Sequence, residues 1–255
     1  MLYRLLWIYI RFTLRFFCKN IVLDKPESLR SHGPLMLAAN HPNSFLDAVI
    51  INALFEQPVW SLARGDVFRN KFARKILHAL RIMPVYRVSE GVENLSSNYD
   101  TFSDCIEIFK KNGIVLIFSE GRCINEWHLR PLKKGTARLA ISCWEKQIPV
   151  KVLPVGINYN SFRKFGKNVF IHFGEPIESD LLKELYTDGA KTATFNRELG
   201  SALQDLVYDI DATDLQKQKR SYQCRCLCFE KYFYSSLPCW VISSVRLYSC
   251  LYYFL

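Results

Sequence analysis

Four chemical signatures are missing from this chain, and each absence closes a route. There is no Gly-x-Ser-x-Gly, and Ser119 is preceded two places earlier by Ile117, so a serine hydrolase lacks its strained elbow. Neither a Gly-x-x-x-x-Gly-Lys loop nor a Gly-x-Gly-x-x-Gly fingerprint occurs, and no His-Glu-x-x-His, which leaves nucleotide and zinc-hydrolase chemistry without support. A long uninterrupted apolar run is wanting at the start. Arg4, Arg11 and Arg15 break Met1–Asn20 well short of the roughly 20 residues a span needs. The same charges, with no small-residue cleavage site after them, argue against a secretory signal. Acidic residues are absent from Val67 to Ser89, where Arg69, Lys71, Arg74, Lys75, Arg81 and Arg87 stand. The nine cysteines are odd in number and follow no secreted-scaffold spacing, which favours a reducing compartment. Internal repeats and low-complexity segments are lacking too.

What remains is a chain of 255 residues, 49% apolar, with a formal charge of +10. That fits one large α/β domain with appendages. Residues 1–20 read as an amphipathic helix, its arginines sharing a stripe that Lys19 extends, among Leu5, Trp7, Ile8, Phe12 and Phe16. Such a helix lies in a bilayer interface or packs on its own domain. Residues 21–210 form the expected central domain. Residues 211–255 are a cysteine- and aromatic-rich tail, apolar from Pro238 apart from Arg246, which could be membrane-associated. Its Cys224, Cys226 and Cys228 have no histidine or fourth ligand nearby, so no metal is expected there.

Short β-branched or apolar runs predict strands at Leu35–Ala39, Val59–Ala63, Ile114–Phe118, Val150–Ile157 and Val169–Phe173, with a short extended segment at 83–87. Helical patterns alternate with them, at 45–54, in the basic segment after Ala63 with Phe68, Phe72, Ile76 and Ala79 on its buried side, and at 97–112, 136–146 and 192–210. Strands alternating with helices predict a central, mostly parallel sheet flanked by helices.

The stretch PLMLAANHPNSFLDA, residues 34–48, organises the rest. Its strand stops at Asn40-His41-Pro42-Asn43, a turn-forming run, and Ser44 is placed to cap the next helix with its hydroxyl. His41 therefore stands at the carboxyl end of a strand and Asp47 in the first helical turn, where open α/β sheets bind ligands. A carboxylate on one ring nitrogen fixes the tautomer, and the other nitrogen can take a proton from a hydroxyl. The Ile114–Phe118 strand delivers Ser119-Glu120-Gly121-Arg122 to the same edge, either for a polar ligand or as a loop ion pair.

Taken in order, these pieces resemble the glycerophosphate and lysophosphatidate acyltransferase superfamily over roughly Leu35 to Phe173. Asn40-His41 through Asp47 is similar to its catalytic block, and Ile82-Met83-Pro84-Val85-Tyr86-Arg87 to its second. Phe118-Ser119-Glu120-Gly121-Arg122, with Pro131-Leu132-Lys133-Lys134-Gly135 downstream, looks like the third. Val152-Leu153-Pro154-Val155 looks like the fourth. Five residues separate His41 from Asp47, one more than is usual in the family; Ser119 replaces a proline, and Arg122 follows Glu120 one place sooner.

The resemblance implies transfer of a fatty acyl group from acyl-CoA or acyl-carrier protein to a hydroxyl of glycerol-3-phosphate or 1-acylglycerol-3-phosphate. His41 would be the general base and Asp47 its orienting acid. Arg87, Glu120, Gly121 and Arg122 would serve the substrate phosphate, Lys133 and Lys134 phosphate or membrane contacts, and Pro154 the acyl-site strand. No cofactor beyond the acyl carrier is expected. The implied partners are an anionic bilayer surface, the donor and the acceptor, with no nucleic acid, and the implied location is peripheral or monotopic on the cytoplasmic face of a membrane. A catalytically silent membrane-binding protein with the same fold is the alternative.

Overall fold

The computed structural model describes residues 2–31, 33–68, 70–85, 95–182 and 187–210. Arg87 and the tail beyond residue 210, with Cys224, Cys226 and Cys228, lie outside the described residues. The chain divides into two compact units, residues 1–209 and 210–255, and the described strands and helices all fall in the first unit.

It begins with helix α1 (Leu2–Phe17) and strand β1 (Cys18–Leu23). Next come β2 (Leu35–Ala39), α2 (Phe45–Leu54), β3 (Val59–Arg64), α3 (Lys71–Ala79) and β4 (Ile82–Val85). The unit closes with α4 (Leu95–Lys110), β5 (Ile114–Phe118), α5 (Lys134–Glu145), β6 (Lys151–Tyr159), β7 (Lys167–Phe173) and α6 (Asp188–Leu206). All seven strands join one sheet in the order β1-β7-β6-β2-β5-β3-β4. Five of them, from β6 to β4, run parallel. β7 is antiparallel to β6, and β1 is parallel to β7.

The central strands are buried on both faces, which is why they read as continuous apolar runs. In β5, Val115 and Ile117 enter a core with α4, α5 and α6, while Ile114 and Leu116 enter a second core with α1 and α2. β2 alternates in the same way, Met36 and Ala38 against Leu35, Leu37 and Ala39. β2 sits between β5 and β6, so its carboxyl end opens at the middle of the sheet.

Three expectations need correction. The N-terminal helix ends at Phe17, and Lys19 lies in β1 rather than extending an arginine stripe. The strand was masked in the sequence because Cys18-Lys19-Asn20 has no β periodicity; it is an edge strand, and only Cys18 in it is buried. Helix α1 packs on α2 through buried Leu14 and a hydrogen bond from Trp7 Nε1 to the Asn52 carbonyl (3.2 Å). Leu5, Ile8, Tyr9, Phe12 and Phe16 nonetheless stay more than half exposed on its outer side. In the basic segment, Phe68 is buried but Phe72 and Ile76 are exposed on α3. Periodicity sorted that helix into faces without saying which face the protein covers. No described helix is long and apolar enough to cross a membrane.

One close contact fixes α6 against the sheet. A Cβ at Gly156 would fall 2.4 Å from the Leu206 carbonyl oxygen and 2.6 Å from Leu206 Cβ. Asn158 ties the same helix end down, Nδ2 donating to Leu206 O (2.9 Å) and Oδ1 accepting from Tyr208 N (2.8 Å). Gly156→Ala should therefore cost about 1–3 kcal/mol, as overpacked cores do, and lower Tm by about 2–4 °C per kcal/mol. Gly135→Ala, in open space on α5, should change stability by less than about 1 kcal/mol. Thermal denaturation of both variants checks the contrast.

Candidate active site

The turn after β2 is built by side chains clamping backbone. Asn40 completes the ladder where β2 ends: its Nδ2 donates to Ile157 O (3.0 Å) and its Oδ1 accepts from Ile157 N (2.7 Å). Beyond it the loop after β5 closes over the turn. Ile124 N donates to His41 O (3.3 Å), Asn125 Nδ2 to Pro42 O (2.7 Å), and Ser44 N to Cys123 Sγ (2.8 Å). Ser44 precedes α2 as expected, but its hydroxyl makes no capping bond. Its φ of 50° is unusual for a residue with a side chain, and it lets the turn absorb the extra residue.

The longer spacing does not part the pair. His41 Nδ1 lies 2.9 Å from Asp47 Oδ2. A carboxylate only accepts, so Nδ1 carries a proton, and in the neutral ring Nε2 presents a lone pair. Among the described residues nothing bonds Nε2. The imidazole stacks on Phe118, with centroids 3.8 Å apart and planes 14° off parallel. Asp47 is fully buried. Its Oδ2 also accepts from Asn43 N (2.8 Å), and its Oδ1 accepts from the Tyr159 hydroxyl (2.6 Å). Burial and the adjacent Asp47 hold the Tyr159 phenol well above its ordinary range, so it stays protonated and donates.

Glu120 does reach this edge, but as a strut. It is 5% exposed, and its two oxygens accept from His41 N (3.0 Å) and Arg130 N (3.1 Å). It is neither a surface ion pair nor a group facing solvent. Gly121 turns at φ 66°, and a Cβ there would meet Lys133 Cγ at 2.9 Å. Arg122, Lys133 and Lys134 are exposed and form no ion pair with any described residue. Lys133 N donates to Ser119 O (2.8 Å), and the Thr136 hydroxyl donates to Ser119 Oγ (3.0 Å), so Ser119 joins the loop to α5 where the family has proline.

Pro154 is buried in β6 opposite Ala38. Its carbonyl takes the Gly174 N–H (2.9 Å) just past the end of β7, so the donor it lacks breaks no ladder. Arg87 lies outside the described residues. Two clefts, about 260 and 400 Å³, run along His128–Leu132 beside α6 and do not include His41.

Sequence reasoning placed Asn40 in the turn without its clamp on Ile157, and missed Cys123, Arg130 and Tyr159. For Tyr159 a signal existed: it ends β6, which is parallel to β2 and finishes at the same sheet edge.

A histidine with one open ring nitrogen, held by a buried carboxylate, thus stands at the carboxyl edge of an open, mostly parallel α/β sheet. The model of the acyltransferase family matches residues 20–158. The chain belongs to that family, the superfamily of glycerophosphate and lysophosphatidate acyltransferases that its four blocks resemble. It is 36% identical over 98 residues to glycerol-3-phosphate O-acyltransferase 1 of Saccharomyces cerevisiae, covering 38% of this chain and 12% of that protein. It is 28% identical over 120 residues to glycerol-3-phosphate O-acyltransferase 2 of the same yeast, covering 46% and 16%. The chain thus matches less than a fifth of the length of these relatives. Its fold is similar to the crystal structure of the 1-acyl-sn-glycerophosphate acyltransferase PlsC from Thermotoga maritima. There the TM-score is 0.56 at 14% identity, with 80% of this chain and 78% of that one covered.

Burial raises the Glu120 carboxyl above its ordinary range, against the pull of the Arg130 and His41 amides. The folded chain then binds this proton more readily than the unfolded one, so the group's contribution to stability falls as pH rises through that interval. Urea unfolding between about pH 4 and 7 should show the wild type losing stability relative to Glu120→Gln as pH increases. A constant difference would contradict the burial argument.

Proposed function

We propose that the protein is an O-acyltransferase that moves a fatty acyl group from an acyl thioester to a hydroxyl of a glycerophosphate acceptor. The observation that carries this reading is the His41–Asp47 contact of 2.9 Å at the strand ends, with Nε2 left open. The donor is acyl-CoA or acyl-carrier protein, and the acceptor is glycerol-3-phosphate or its 1-acyl derivative. His41 Nε2 takes the acceptor proton as the oxygen attacks the thioester carbonyl. Asp47 holds the imidazole and balances its positive charge. The tetrahedral intermediate collapses with loss of the thiolate, which takes the proton back from the imidazolium, so no acyl-enzyme is needed. No cofactor beyond the carrier takes part.

The acceptor phosphate is drawn by Arg122, Lys133 and Lys134, with Arg87 as the second-block contributor. Lys133 caps α5 without a side-chain bond, so the first amides of that helix add their partial positive charge. Glu120 serves indirectly by holding the His41 and Arg130 backbones. Pro154 belongs to the strand beneath the acyl chain. A silent protein with this fold is the weaker reading, since the wide spacing that motivates it leaves the pair in contact.

A lipid acceptor calls for an enzyme seated on the bilayer. The outer stripe of α1, from Leu5 to Phe16, supplies an apolar face about 18 Å long with exposed Arg15 near its end. This suits an interfacial helix, with basic residues each adding about 1 kcal/mol near an anionic surface.

His41→Ala should lower acyl transfer by at least about 100-fold while vesicle binding is unchanged, measured by thiol release from acyl-CoA with each acceptor. Retained turnover would remove the mechanism. Deleting α1 would uncover Leu14 and the α2 contact, so the membrane test is the double variant Phe12→Ser, Phe16→Ser. It should weaken sedimentation with phosphatidylglycerol-containing vesicles at least about tenfold, as expected when 1.4 kcal/mol or more of apolar contact is lost. Unchanged sedimentation would place the anchor elsewhere.

A further inference from the structure

We propose that Tyr159 is a positioning residue of the His41–Asp47 pair. Its hydroxyl holds the second oxygen of the Asp47 carboxylate and so sets how firmly the imidazole keeps its proton. The kinetic part of this inference rests on the transfer reaction proposed above; the geometric part does not.

Asp47 Oδ2 is shared between His41 Nδ1 and the Asn43 amide, whereas Oδ1 has the Tyr159 hydroxyl at 2.6 Å. No other described residue donates to Oδ1. At that length an O–H donor to a carboxylate is a strong, charge-assisted bond. Both side chains are fully buried, so water cannot replace it. The backbone holds the phenol in place: Tyr159 pairs with Val169 of β7, and its carbonyl accepts from Trp127 Nε1 (2.6 Å).

Lys167 strengthens the donor. It is 3% exposed, its ammonium donates to Phe162 O, and it stands 5.6 Å from the Tyr159 ring centroid and 5.4 Å from that of Phe17. A cation over the ring face draws electron density from the phenol and makes its hydroxyl the better donor. Tyr159 contacts the acid and not the reacting atoms, so its effect passes through Asp47.

Without the hydroxyl, Asp47 Oδ1 is a buried acceptor lacking a partner. Negative charge then concentrates on the carboxylate, the imidazolium is favoured, and neutral His41 is reached only at higher pH. The carboxylate is also freer to rotate. The other ionisable groups bearing on the cluster are Glu120 and Cys123 after β5, Cys18 of β1 and Lys167 of β7. A Tyr159→Phe substitution leaves all four in place and keeps the ring.

The test uses the full chain with Tyr159→Phe, and with 3-fluorotyrosine at position 159 as a stronger donor. Histidine-selective NMR titration should move the His41 midpoint up by about half a unit or more in the phenylalanine variant, and down with fluorotyrosine. In turnover assays on vesicles, kcat should fall about tenfold, as when the partner of an orienting group is lost. The acid limb of kcat/KM should shift to higher pH, with KM for donor and acceptor near wild type. Unmoved midpoints in both variants, or a change confined to thermal stability, would reduce Tyr159 to a packing residue. A wild type without turnover would overturn the proposed function, while the NMR titration would still decide this one. If Tyr159→Phe fails to fold, the fluorotyrosine protein alone decides: a midpoint that does not fall overturns the proposal.

Discussion

The strand-end site is organised around a carboxylate that water does not reach. A buried charge is costly unless it is met by donors at close range. Asp47 has three of them: a ring nitrogen, a backbone amide and a phenol, from the turn after β2 and the end of β6. Each donor restrains a different part of the chain. The Asn43 amide bond closes the turn, the Tyr159 bond ties that turn to β6, and the His41 bond leaves one nitrogen facing outward. If the acid were lost, all three segments would lose a common anchor, so fold and chemistry cannot be separated at this point.

Much of this was legible in the sequence, for a physical reason. Strands buried on both faces must be apolar throughout, so Leu35–Ala39 and Ile114–Phe118 announce themselves and their observed bounds match. Because parallel strands end at one edge, placing His41 and Glu120 together needed only the order of elements. What one sequence carries poorly is direction and partner. The reversal of β7 was readable only from the short connection between Tyr159 and Lys167, too brief for a crossover helix. The capping role of Ser44 failed because the wider turn rotates its backbone to φ 50° and sends its N–H to Cys123. Glu120 looked like a ligand-facing acid because the residue type carries charge, yet its oxygens are taken by two amides.

The same distinction governs the surface. Both α1 and α3 are amphipathic, but an apolar stripe says only that something dry should cover it. On α1 two apolar sides exist, and the protein covers one of them with α2 while Leu5, Ile8, Tyr9, Phe12 and Phe16 stay outward. On α3, Phe72 and Ile76 stand beside Lys71, Arg74 and Lys75 with no acid among them. Contiguous exposed apolar groups are uncommon on proteins that work alone in water, and their mixture with basic residues on both helices is the pattern that the proposed bilayer seating draws on.

The loop from Ser119 to Lys133 shows how this site can tolerate departures from its family. Its holds on the histidine turn are backbone bonds or bonds to backbone: Ile124 N to His41 O, Asn125 to Pro42 O, and Glu120 to His41 N. Such contacts demand the Asn125 and Glu120 side chains that make them, but leave the residues between free to vary. A serine can therefore stand in the family's proline position, tied instead to Thr136 and Lys133, and an arginine can sit one place early without disturbing the clamp. Side-chain identity is demanded only where a side chain meets the buried charge or secures the turn around it. By that criterion Asn40, His41, Asp47, Glu120, Asn125 and Tyr159 are the fixed points, and the exposed cations around them are adjustable in position.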